Sequence, residues 1–192
     1  MTADVDIDFA DRKTILELIK HTPARQENNG ETQKHNSGVY VTDIPYDPIN
    51  GCTSIDYREA QDRGYFKLDF LNMRVYSLIQ SPEHYETLLS KPTPWEKLLL
   101  PDFVSAVVHI GNHYSNLCAM PESVDSIPRM AMFLAVIRPG KKHLIGKPWK
   151  EVAETVWEST DSGYTFKKSH AIAYAVLVSL HMKLLEEQKQ SN

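Results

Sequence analysis

Asp4-Val5-Asp6-Ile7-Asp8-Phe9 alternates acidic and apolar residues without a break, and the reading of the first part of the chain starts there. Side chains two apart on a strand leave the same face, so Asp4, Asp6 and Asp8 form an acidic row backed by Val5, Ile7 and Phe9. Burying the apolar row fixes the acidic one. Phe66-Lys67-Leu68-Asp69-Phe70-Leu71 repeats the pattern, with Lys67 and Asp69 opposite Phe66, Leu68 and Phe70. Like charges on one row repel, so the row calls for a cation or a basic group among them. If the two strands pair, Asp69 becomes a third carboxylate beside Asp4 and Asp6, and Lys67 can reach a phosphate oxygen. Magnesium takes oxygen ligands of this kind, and a pair of such ions stabilises the attacking and leaving oxygens of phosphoryl transfer. The same alternation also fits a solvated face at the edge of a sheet.

Outward from the first strand, Ile15, Leu18 and Ile19 carry a helical period. The polar stretch from Thr22 to Ser37 reads as a loop, Gly38 to Val41 as a short strand, Pro45 to Thr53 as turns, and Gly64 to Leu71 as the second carboxylate strand. From Pro82 onward helical signals dominate: His84 to Leu89, Trp95 to Leu100, Asp102 to Val108, and Ile127 to Ile137, which Arg138-Pro139-Gly140 stops. Pro148 opens a short helix. Ser159 to Gly163 reads as a turn, and a last helix from about Ser169 to Glu187 carries Ala171, Tyr174, Ala175, Val178, Met182 and Leu185 as a buried stripe. The expectation is an α/β (α+β) fold in one compact domain over 1–192, with carboxylate strands in 1–80 and helices in 81–192.

Length and composition fit that picture. The chain has 192 residues, 42% hydrophobic and 24% charged, with a formal net charge of −4, the profile of an ordinary globular protein. Composition alone does not suggest nucleic-acid binding, but a net negative sum does not exclude it where carboxylates concentrate at a metal site. Two distant cysteines, Cys52 and Cys118, match no paired metal spacing and are expected as reduced thiols. No apolar run reaches membrane-spanning length, and no secretory leader is recognisable, so a cytoplasmic location is expected. His109 and His113 are four apart and Cys118 follows, which superficially suggests zinc. Gly111 and the want of a fourth ligand favour ordinary polar or capping histidines.

Three motifs, in order, resemble the catalytic alpha subunits of bacterial DNA polymerase III, the family C polymerases, whose palm is of the polymerase beta type. Asp4-Val5-Asp6-Ile7-Asp8-Phe9 with Arg12 is similar to that family's Pro-Asp-x-Asp-x-Asp-Phe segment, with Ala3 in place of the proline. Lys67-Leu68-Asp69-Phe70-Leu71 is similar to its Lys-Phe-Asp-Phe-Leu segment. Tyr164-Thr165-Phe166-Lys167-Lys168-Ser169-His170-Ala171 is similar to Tyr-Gly-Phe-Asn-Lys-Ser-His-Ala, the most specific of the three, with Lys167 in place of the asparagine. Weaker echoes are His35 to Val41 and Ile137-Arg138-Pro139-Gly140, the latter similar to a Tyr-Arg-Pro-Gly segment.

By that resemblance Asp4, Asp6 and Asp69 are the catalytic carboxylates and hold two magnesium ions. Lys67 lies near the incoming nucleotide, and Tyr164, Lys167, Lys168, Ser169 and His170 open a helix beside its triphosphate. Free amides at such a helix start, among basic side chains, also suit an anion on their own account, although an N-capped basic helix end has the same sequence. Arg138 either contacts phosphate or template, or simply ends a helix. The implied activity is addition of deoxynucleotides from their triphosphates to primed DNA, with a protein partner supplying the polymerase elements this compact chain lacks. The compaction is, by analogy, that of a phage or other mobile genome. The competing expectation is a non-catalytic replication accessory built on a polymerase palm.

Overall fold

The computed structural model describes residues 5–28, 30–158 and 166–190. Asp4 and Tyr164, and the turn expected from Ser159 to Gly163, lie outside them. The fold is mixed α/β with a small mixed sheet, and the chain divides into two compact units, Met1–Leu78 and Ile79–Asn192.

The first unit runs β1 (Val5–Phe9), α1 (Arg12–Leu18), β2 (Thr22–Asn28), β3 (Glu31–Tyr40), β4 (Tyr46–Asp47), β5 (Cys52–Thr53), α2 (Tyr57–Asp62) and β6 (Leu68–Asn72), closing on a 3-10 turn at Arg74–Leu78. Its main sheet has the order β1-β6-β3-β2. β1 and β6 are parallel, β6 and β3 antiparallel, β3 and β2 antiparallel. Parallel neighbours need a connection that crosses over the sheet, and here that connection carries everything from α1 to α2. Ile7 is the register partner of Phe70, and the Phe9 and Phe70 rings meet at 5.1 Å. The apolar rows of the two alternating segments therefore share one face, and their acidic rows share the other.

The stretch read as a polar loop, Thr22 to Ser37, is instead most of a long hairpin, β2 and β3. Neither strand buries a clean alternate row outside Ala24 and the Gly38–Tyr40 end, so the period-two signal is absent although the backbone pairs. Gly30, at φ +83°, takes the left-handed conformation that lets the chain reverse. The second carboxylate strand is shorter than expected, starting at Leu68 rather than Gly64. Asp56 caps α2, accepting the Arg58 amide and the Glu27 amide of β2. That capping Asp, followed by Glu59 three residues later, is the sequence signal of a helix start that the reading overlooked.

The second unit is helical: α3 (Pro82–Ser90), a 3-10 turn at Trp95–Leu99, α4 (Pro101–Ala106), α5 (Tyr114–Ala119), α6 (Ile127–Val136), a 3-10 turn at Pro139–Leu144, α7 (Trp149–Thr155) and α8 (Lys168–Gln190). α6 contributes Met130, Ala131 and Phe133 through Val136 to the core, and α8 packs Ala171, Ala175, Val178 and Met182 against them, four of the six stripe residues expected from the sequence. Tyr174 and Leu185 sit at the margin of the same core. From its middle onward α8 also buries Leu177, Leu180 and Leu184, so it is enclosed on more than one side. No helix among the described residues is long and apolar enough to cross a membrane.

Candidate functional site

The register of β1 on β6 sets Asp6 beside Asp69 and Asp8 beside Leu71, and partners on adjacent strands are about 4.8 Å apart. Two of the three expected carboxylates thus stand side by side on one face. Their surroundings differ. Asp6 lies on the edge strand and is exposed, whereas Asp69 lies on an inner strand and is only 7% exposed.

A carboxylate that dry must be hydrogen-bonded and paired, and Asp69 is both. Lys67 Nζ donates to its Oδ2, and Ser37 Oγ donates to its Oδ1 at 2.6 Å. Burial pushes the Asp69 carboxyl up, but the hydrogen bonds from Lys67 and Ser37, with the lysine's charge, hold it below the ordinary carboxylate value. Lys67 therefore faces its own neighbouring carboxylate. Its stem crosses β3 at Gly38, where a Cβ would stand 2.8 Å from Lys67 Cδ, and its Nζ lies 5.9 Å from the Tyr57 ring centroid of α2.

Ser37 reaches Asp69 because β3 bulges. The β2–β3 register passes from Pro23 opposite Val39 to Arg25 opposite Lys34, so β3 spends extra residues opposite Ala24. Bulges of this kind re-aim side chains. The His35 ring secures this one, its Nδ1 accepting the Gly38 amide at 2.9 Å and lying 3.3 Å from the Ser37 amide. With Nδ1 an acceptor, the proton sits on Nε2 and the ring is neutral, so the 3.7 Å approach of Nδ1 to Asp69 Oδ1 is proximity and not an ion pair. Burial, with the Lys67 charge next, keeps His35 below its usual value, in agreement. Serine, histidine and aspartate meet here, which sequence spacing did not reveal. They are not in the order of a hydrolytic triad, because the acid holds the serine directly and the imidazole nitrogen facing it is already engaged by backbone.

Both Asp69 oxygens carry one donor each, and a carboxylate has about four acceptor positions, so the residue can still receive a cation if Lys67 yields. Carboxylate oxygens from Asp6 and Asp69 on one face suit magnesium chemically. Among the described residues no three His, Cys, Asp or Glu side chains gather into a ready metal cage. Tyr40, fully buried on the same face, has a hydroxyl without a hydrogen-bond partner among the described residues. Burial first, then the charges of Asp56 and Asp69, pushes it up to about 12.

In the second unit the expected basic residues separate. Lys167 precedes α8 and Lys168 opens it; Lys167, Lys168 and Ser169 are exposed, and Lys168 Nζ lies 5.9 Å from the Trp157 ring centroid. Arg138 and His170 do converge, through Phe166: the guanidinium sits 4.5 Å over that ring, whose edge meets the His170 ring at 5.3 Å. Tyr174 is flanked by His170 at 4.1 Å and by His109, stacked at 4.2 Å with 13° between planes. His109 and His113 are not one turn apart on a helix. His109 sits in a left-handed turn at φ 65° and His113 caps α5.

No family model matches the chain, and no curated protein or solved structure matches it. Function must be read from these two clusters.

Proposed function

We propose that the chain is a metal-dependent nucleotidyltransferase of the DNA polymerase type, with a polymerase beta-like palm in its first unit. The observation that carries the reading is the register pair Asp6–Asp69 on adjacent parallel strands, one carboxylate open to solvent and the other buried beside a lysine. In this proposal Asp6 and Asp69, with Asp4, hold two magnesium ions, which supply charge neutralisation at the reacting phosphate. Lys67 exchanges its bond to Asp69 for one to a phosphate oxygen, and in the second unit Arg138 and the start of α8 (Lys167, Lys168, Ser169, His170, preceded by Tyr164) are the residues proposed to bind phosphate. The substrates are primed DNA and deoxynucleoside triphosphates, and a protein partner completes the working enzyme.

Asp6→Asn tests this. The side chain is exposed, so the variant keeps its fold, and it is expected to lose magnesium-dependent primer extension together with magnesium binding in calorimetry. Extension equal to that of the unaltered chain ends the proposal. A second reading, a non-catalytic replication accessory, draws support from the same site: Lys67 and Ser37 already satisfy Asp69, as a purely structural ion pair would. A protein of that kind binds no magnesium in the same calorimetric experiment and extends no primer.

A further inference from the structure

The Arg138 side chain makes no hydrogen bond and no ion pair with any described residue, and its Nε is fully buried without an acceptor among them. Its two terminal nitrogens lack acceptors too but are not buried, so the open end of the fork meets solvent. The Nε–H alone among its five donors is thus shut away from water with no oxygen among the described residues to receive it, a cost to the fold unless something else supplies the acceptor. His109, near enough to feel the Arg138 charge, repeats the pattern: its Nε2 is buried and unpartnered among the described residues on a backbone held in the left-handed region. Residues maintained in such conformations concentrate at functional sites. The turn is pinned from α8, His181 Nδ1 accepting the Val108 amide at 3.0 Å.

The charges around this point share one sign. Burial first, then Arg138, His170 and His181, pushes His109 down to about 4; burial, Arg138 and Lys142 lower His113. Among the described residues no carboxylate opposes these effects. The aromatic rings nearby are occupied with one another: Phe166 lies under Arg138, and Tyr174 stands between His109 and His170. A ring so flanked offers no face for a base to stack on.

We propose that Arg138, with His109, His113 and Lys142 around it, forms a phosphate-binding site that reads charge and ignores the base. The guanidinium fork presents paired donors to a phosphate oxyanion in the geometry it prefers, and the exposed Lys142, four residues on, adds positive charge to the same surroundings. The phosphate comes either from a free nucleoside polyphosphate or from a nucleic-acid backbone. The site belongs to the second unit alone and needs neither Asp6 nor Asp69.

The test is calorimetric titration of the full chain, without magnesium, with inorganic triphosphate, with each deoxynucleoside triphosphate and with a thymidine oligonucleotide. Omitting magnesium separates this outcome from that of the nucleotidyltransferase reading. Arg138→Gln is expected to weaken binding at least about tenfold, the loss of a charge-assisted hydrogen-bonded contact, with at most a small fall in melting temperature from the lost contact with the Phe166 ring. Lys142→Gln, at an exposed side chain, is expected to weaken binding by about two- to threefold, and it decides the matter should the arginine variant fold poorly. Lys97→Gln serves as the control. Lys97 pairs with Glu186, about 24 Å along α8 from His170 at 1.5 Å per residue, and its loss leaves binding unchanged. Preference for inorganic triphosphate or for the oligonucleotide names the source of the phosphate. Failure of the unaltered chain to bind either at millimolar concentration, equal binding by Arg138→Gln and Lys142→Gln, an equal loss in Lys97→Gln, or a tenfold spread among the four nucleotides would overturn the proposal.

Discussion

A carboxylate with 7% of its surface exposed persists inside a fold only when its desolvation is offset, and for Asp69 the offset comes from Lys67 and Ser37. Removing one partner of such a pair leaves the other charge stranded. Lys67→Met is therefore expected to destabilise the protein by about 3 kcal/mol at neutral pH, as measured by urea unfolding. Lys67→Met with Asp69→Leu should recover most of it, because no buried charge remains. The pH dependence has a definite sign. Asp69 is held below its ordinary 3.8, so its contribution is present above that value and disappears as the pH falls through the lower, folded one. The difference between Lys67→Met and the unaltered chain should accordingly shrink in acid; a constant difference down to pH 2 would show that Asp69 is not the partner that matters. Asp69 and Lys67 were legible in the sequence as neighbours on one strand face. Ser37 and His35 were not, because they reach the carboxylate from a strand whose residues are about thirty positions away.

At the scale of single elements, the bulge in β3 decides the geometry of the site. Gly38 leaves room for Lys67 to cross: a Cβ there would stand 2.8 Å from Lys67 Cδ, 3.0 Å from His35 Nδ1 and 3.1 Å from Ala24 Cβ. The lysine stem can shift, but the imidazole is anchored by the Gly38 amide it accepts, and Ala24 is part of the unit's core. Gly38→Ala is expected to destabilise the protein by about 2 kcal/mol, as overpacked positions do, and to move the His35 ring resonances in an NMR spectrum. A neutral effect on both would mean that β3 relaxes freely. The sequence pattern found β1, the core of β6, α6 and α8, since each has an apolar row or stripe with a definite period. It missed the β2–β3 hairpin, whose strands bury little on either face, and α2, whose signals are its capping Asp56 and Glu59 and not a stripe.

Across the whole molecule the apolar burial is uneven. The second unit has a contiguous core running from Leu98 to Met182, while a cluster of the first consists of Ala24, Tyr40 and Ala60 with partly buried neighbours. Local stability follows buried apolar contact, so hydrogen exchange read by mass spectrometry should be slowest in Met130–Val136 and Ala175–Met182 and faster throughout β1 and β2. Equal protection in the two units would contradict the inference.

The sequence by itself determined β1, the core of β6 and the longer helices of the second unit, the facing of Asp6 and Asp69 away from the apolar row, and the core stripe of α8, because each follows from local periodicity along a few residues. Only the tertiary structure decided that Lys67 turns onto Asp69, that Ser37 and His35 join them, and that the Arg138 Nε is buried without an acceptor among the described residues. Those facts depend on strand register, a bulge and the packing of distant segments. Periodicity within one segment carries no information about which residue of another segment it will meet.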